Sequence, residues 1–246
     1  MNLLKKQKSY IAYFDLVGFK SAILADIDEA CNALEAMRLS LSDIYSIVLR
    51  PLSSNRPVFP AHYVRYKFLS DSFILYTTCD TQEDLLSIVF VSTRLLMKYF
   101  FWRLPMRGGL AFGDFYLNEQ YDLFCGKPLV RAYEIGEYSQ WLGLVFDDEV
   151  AERYMENPLV TPDEANSIML RWDVYYKGGV KQNVWVANWP PKMEYKVNPP
   201  ITGTELYEVF EPLFRKGFTS QAEDTRLKYN NTAKFINYTF EKFGKR

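Results

Sequence analysis

Residues 10–23 read YIAYFDLVGFKSAI. The run from Tyr10 to Phe14 is rich in aromatic and β-branched residues, the composition of a strand. It stops on the carboxylate of Asp15, followed by Leu16, Val17, Gly18 and Phe19. A strand that ends on an acid and turns at a glycine needs an explanation.

The chain has 246 residues, 48% apolar and 17% aromatic, enough for a sizeable core in one domain. Its net charge of −1 gives no general drive toward nucleic acid or an anionic membrane. No apolar run approaches the roughly 20 residues of a membrane-spanning helix, and the opening MNLLKKQKSY has no secretory apolar segment. Cys31, Cys79 and Cys125 are scattered and form neither a disulfide framework nor a zinc pattern. A cytoplasmic location is expected. His62 is the only histidine, and its neighbours do not suggest a nucleophilic triad.

Residues 9–15 read as a strand. Ile23, Ile27, Ala30, Leu34, Met37, Leu41, Ile44 and Val48 recur at helical spacing, which predicts one long amphipathic helix. RPLSSNRPVFP is a loop. AHYVRYKFL and SFILYTT predict a hairpin turning at Ser70-Asp71. A second helix is expected over 82–102, with Leu85, Ile88, Ser92, Leu95 and Tyr99 inward, followed by the glycine-rich strand MRGGLAFGDFYL. PLVRAYEIGEYSQ begins a helix with proline, LGLVFD is a strand, and DEVAERYM is a short helix. The first six elements follow the ferredoxin-like βαββαβ plan, so the expected fold is α+β, with a mainly antiparallel sheet and helices on one face. Residues 151–246 are expected to be an aromatic-rich extension packed on the core or on a dimer, not an independent domain. It would hold a hairpin turning at Lys177-Gly178-Gly179 and a last helix lined by Tyr229, Ala233, Ile236, Phe240 and Phe243.

In that plan Asp15 and Asp71 lie at the ends of neighbouring strands. Two close carboxylates repel unless a cation lies between them. Hard divalent cations suit carboxylate and backbone oxygens and keep open positions for phosphates. Gly18 permits a tight turn into a helix whose N–H groups can hold a triphosphate. Taken singly, Asp15 is an ordinary helix cap and Asp71 an ordinary turn residue. Arg107 and Arg131 read as surface partners of Asp114 or Glu134, and YVRYKF as a strand with one solvated face rather than a nucleic-acid platform.

Three motifs in order carry a resemblance: FDLVGFK, KFLSDSF and MRGGLAFGD. Over about residues 9–150 the sequence resembles the class III nucleotide cyclases. SDS, RGG and GKPLVRAYEIGE further resemble the bacterial pyrimidine cyclases of the Pycsar anti-phage system. The resemblance implies a catalytic core over 1–150 that converts UTP, or alternatively CTP, to a 3′,5′-cyclic monophosphate and pyrophosphate. The product would act on a separate effector. It implies a homodimer with sites at the subunit interface, and two Mn²⁺ or Mg²⁺ ions per site held by Asp15, Asp71 and the Leu16 carbonyl. The Leu16–Phe19 turn (Leu16, Val17, Gly18, Phe19) would cradle phosphates. Lys67 would read the base, with Arg65 and Tyr63 on the same strand face, and Arg131 would replace a missing arginine. The sequence departs from the family where Val130 and Glu134 stand at the places of an Asn and an Arg, and where Leu123, beside Asp122, stands near the place of a base-reading Asp.

Overall fold

A computed structural model describes residues 5–54, 56–161, 167–190, 199–214 and 217–243. Its centre is an eight-stranded mixed sheet. The strands are β1 (Lys5–Leu16), β2 (Val64–Leu69), β3 (Ser72–Thr77), β4 (Met106–Asn118), β5 (Leu123–Gly126), β6 (Gly143–Phe146), β7 (Met169–Tyr176) and β8 (Gly179–Ala187). They run in the order β2-β3-β1-β4-β6-β8-β7, with β5 paired to β4. Among the described residues only β4 and β6 are parallel, and every other pair is antiparallel.

The alternation of β1 sends successive side chains to opposite faces. Phe14 stacks on Phe73 of β3, which meets Tyr99 of α4 (Gln82–Phe101). Tyr13 points the other way, onto Tyr133 of α5 (Lys127–Tyr138). Helices therefore lie on both faces, which corrects the one-sided arrangement expected from the sequence. The α5 face has its own smaller core of Ile11, Tyr13, Ile74, Tyr76, Ala111 and Phe115.

One glycine of β4 and one of α5 allow the helix this close. A Cβ on Gly109 would stand 2.5 Å from the Ala132 carbonyl oxygen and 2.7 Å from Ile135 Cβ. Gly136 in turn lies against the backbone of Gly108. Gly109→Ala must push strand and helix apart, at a cost of about 1–3 kcal/mol. The check is a lower urea midpoint with an unchanged slope.

The single long helix expected after β1 is two: α1 (Phe19–Ala25) and α2 (Ile27–Tyr45). Asp26 divides them. Its backbone is extended, and its carboxylate caps α2 by accepting from the Asp28 and Glu29 N–H groups. Ala30, Met37, Leu41 and Ile44 are buried as the spacing requires, but Ile23, Ile27 and Val48 are exposed. Pro60 starts a four-residue helix, α3 (Pro60–Tyr63), so Tyr63 precedes β2 rather than lying on it. The α4 helix opens with a reciprocal cap between Thr81 and Asp84.

The last third joins the same sheet, β8 pairing with β6. The helices there are α6 (Asp148–Glu156), α7 (Gly203–Glu208), α8 (Glu211–Phe214) and α9 (Glu223–Phe243). Trp189 stacks on Phe100 at 4.1 Å, and Phe235 of α9 meets Trp141 edge-on. Tyr229, Ala233 and Ile236 are buried, with Phe240 and Phe243 packed partly buried against the core. No helix among the described residues is long and apolar enough to cross a membrane.

Candidate functional site

The site grows from the end of β1. Asp15 sits opposite Ser72 of β3 on one side and opposite Arg107 of β4 on the other. The Ser70-Asp71 turn closes the β2–β3 hairpin, with Ser70 in the left-handed region at φ 60°. The Leu16 N–H donates to the Asp71 carbonyl at 3.0 Å, which fixes the two strand ends to one another. The two carboxylates are close enough that the charge of Asp71 acts on Asp15.

Asp15 is paired with Arg107, which does not lie on the surface with Asp114. Arg107 is buried, and its Nε donates to Asp15 Oδ2 at 3.0 Å. Its Nη2 donates to Glu137 Oε2 at 2.5 Å, and its Nη1 to the Glu137 and Ser139 carbonyls at 2.7 and 3.4 Å. Asp114 pairs instead with Lys6 at 3.1 Å. Burial pushes the Asp15 carboxyl above the usual carboxylate range. The Arg107 guanidinium pulls it back, and the Asp71 and Glu137 carboxylates push it further up. Tyr13, beside Asp15, is raised to about 12, mainly by burial, so its hydroxyl stays protonated at the 2.9 Å bond with Ser72.

The donor set fits a hard divalent cation. The Asp71 carboxylate makes no hydrogen bond or ion pair with the described residues, and neither does Asp15 Oδ1. The Leu16 carbonyl belongs to the same strand end. These are two acids and a backbone oxygen, the chemistry of a site completed by phosphate oxygens rather than of an all-protein cage. Among the described residues no cluster of three or more His, Cys, Asp or Glu side chains is placed to hold a metal.

The turn that follows is partly committed. The Leu16 and Val17 N–H groups donate to Asp71 and Pro105 carbonyls. Gly18 has φ +82° at the start of α1, a conformation that favours glycine. A Cβ there would also meet the Phe214 ring of α8 at 2.9 Å, so the last third of the chain touches this turn. Phe19 is buried in the main core.

The remaining candidates are spread along the hairpin and α5. Lys67 is ion-paired with Asp122, which stands in the left-handed region after a 3₁₀ turn, Glu119–Tyr121. Arg65 and Lys67 line a cleft of about 370 Å³ with Tyr45, Tyr76 and Glu119, where Tyr76 donates to Glu119 at 3.0 Å. Tyr63, in α3, does not line this cleft. Arg131 points from α5 to Asp147 at 3.1 Å and is half exposed. Val130 is exposed on the same helix, with Glu134 one turn on. Sequence reasoning did not assign Arg107 or Glu137 to the site. The signal was available only through register, since Arg107 faces Asp15 once β1 and β4 are paired.

No protein-family profile matches the chain, and no curated protein matches it in sequence. Its backbone is similar to solved nucleotide cyclases. One is the catalytic core of a rhodopsin-guanylyl cyclase with converted specificity in complex with ATPαS. The similarity has a TM-score of 0.53 at 13% identity, over 75% of this chain and 97% of that one. Another is a bacterial light-regulated adenylyl cyclase, with a TM-score of 0.50 at 11% identity, over 86% of this chain; the chain spans only 57% of that one. The chain thus has the fold of nucleotide cyclase catalytic cores.

Proposed function

We propose that this chain is a metal-dependent nucleotide cyclase that takes a pyrimidine nucleoside triphosphate, UTP first and CTP as the alternative. The observation that carries the reading is the meeting of Asp15 and Asp71 at adjoining strand ends, joined through the Leu16 N–H. In the reaction the ribose 3′-oxygen attacks the α-phosphorus, its proton leaves, and the bond to the β-phosphate oxygen breaks to release pyrophosphate. Bound divalent cations, Mn²⁺ or Mg²⁺, would acidify the 3′-hydroxyl and neutralise the departing phosphates.

Asp15, Asp71 and the Leu16 carbonyl would hold those cations in place. Arg107 keeps the Asp15 carboxylate oriented. With the Leu16 and Val17 N–H groups committed to the Asp71 and Pro105 carbonyls, phosphate oxygens would meet the turn at Gly18 and Phe19. Lys67 reads the base with Asp122, and Arg65 lines the same cleft; Arg131 is the cation offered to the phosphates once it leaves Asp147. Two copies would complete each site, and the cyclic monophosphate would serve as a messenger to a separate effector in defence against phage. Residues 1–150 would form the catalytic core and 151–246 its extension.

A non-catalytic nucleotide-binding module is the second reading. It draws on Val130 and Glu134, which stand where the resemblance would place an Asn and an Arg. One assay separates the two. The purified protein is incubated with each of the four ribonucleoside triphosphates and Mn²⁺, and products are resolved by mass spectrometry. A cyclic pyrimidine monophosphate with stoichiometric pyrophosphate is expected. No cyclic product from any triphosphate, with folded protein that binds nucleotide, would favour the second reading.

A further inference from the structure

Arg107 carries one positive charge and divides it between two carboxylates. Nε serves Asp15 at 3.0 Å, and Nη2 serves Glu137 at 2.5 Å. Glu137 is itself shared, because its other oxygen, Oε1, accepts from Lys177 Nζ at 2.6 Å. Lys177 belongs to the turn between β7 and β8, in the last third of the chain. The backbone holds this turn in place: the Lys177 N–H donates to the Tyr138 carbonyl at 2.8 Å, and the Gln140 N–H to the Tyr175 carbonyl at 2.6 Å. The same Glu137–Ser139 segment supplies the two carbonyls that accept from Arg107 Nη1. A continuous line of alternating charge therefore runs Asp15–Arg107–Glu137–Lys177 from the strand end to the C-terminal hairpin.

Arg107 holds Asp15 Oδ2 and leaves Oδ1 open, so a cation on Oδ1 shares the charge of that carboxylate with Arg107. How strongly Arg107 competes depends on what Glu137 offers it, and that in turn depends on how much of Glu137 is taken by Lys177. We propose that Glu137 and Lys177 are positioning residues that set the divalent-cation affinity of Asp15 through Arg107, giving the C-terminal hairpin control over the metal site. The inference rests on the assignment of Asp15 as a metal-binding residue. It adds a role for residues outside the ordered motifs.

The opposing signs make it testable. Glu137→Gln keeps the shape but removes the charge, so Arg107 commits to Asp15 and cation binding weakens. The loss of one charge-assisted contact corresponds to roughly tenfold in Kd. Lys177→Met releases Glu137 to Arg107 and tightens binding. Because Lys177 is partly exposed, this variant tests the idea even where Glu137→Gln folds poorly. Mn²⁺ binding to the full-length protein, without nucleotide, is measured from the free-ion signal in electron paramagnetic resonance. A simple field effect of the two charges would add in the double variant; a relay through Glu137 would not, so Lys177→Met should have no effect in the Glu137→Gln background. Unchanged Kd values in the single variants, or additive shifts in the double, overturn the inference while the metal reading stands. No Mn²⁺ binding by the unaltered protein overturns the metal reading and the inference with it.

Discussion

Arg107→Ala destabilises the protein by about 3–5 kcal/mol, the usual cost of removing one partner from a buried ion pair. The arginine side chain is 8% exposed, and its carboxylate partners Asp15 and Glu137 are 17% and 30% exposed. Once it is gone, two acids face one another with little water, and the Glu137 and Ser139 carbonyls lose a donor. The loss depends on pH, and its sign follows from Asp15. That carboxyl is raised above its ordinary value by burial first, with Arg107 the main opposing influence. A carboxyl raised on folding contributes most to stability below its unfolded value, and the contribution is lost as pH rises through the folded value. Without Arg107 the folded value climbs further, so the defect is largest at neutral pH and shrinks on acidification. Urea melts of the variant and parent at neutral and acid pH check this. An equal loss at both would assign the effect to packing instead of charge.

Register explains why sequence reasoning did not find this arginine. Strand alternation placed Tyr10 to Asp15 and the β2–β3 hairpin, because period-two patterns and a two-residue turn are local signals. The Asp15–Arg107 pair spans 92 positions and exists only once β1 and β4 align residue by residue. The same holds for Arg131, whose partner Asp147 lies at the start of α6 rather than on its own helix. Helical spacing grouped Ile23 and Ile27 with Ala30 and Met37, but spacing does not register a chain break. Asp26 supplies that break through its own side chain, leaving Ile23 and Ile27 exposed. Likewise, the amphipathic pattern of α5 shows that one side is apolar but not which face of the sheet it covers. The packing of Gly109 under Ala132 and Ile135 decides that.

On the proposed cyclase reading, Asp71→Asn is expected to lower nucleotide cyclisation by about 10²–10³-fold, the scale of losing one preorganised electrostatic contact at a reacting centre, while leaving stability within about 0.5 kcal/mol. The separation follows from the position of Asp71. It lies in a two-residue turn, where asparagine is as well accommodated as aspartate. Its carboxylate makes no hydrogen bond or ion pair with the described residues, and its carbonyl, which accepts from Leu16, is untouched by the change. Asp15→Asn is the poorer probe, because it also breaks the bond to Arg107 and mixes loss of fold with loss of chemistry. The measurement pairs product yield by mass spectrometry with a urea midpoint on the same preparation. Full activity in Asp71→Asn would remove the second carboxylate from the mechanism. Activity and midpoint falling together would make Asp71 a turn residue, and the acid at the end of β1 would then be no more than one end of a buried ion pair.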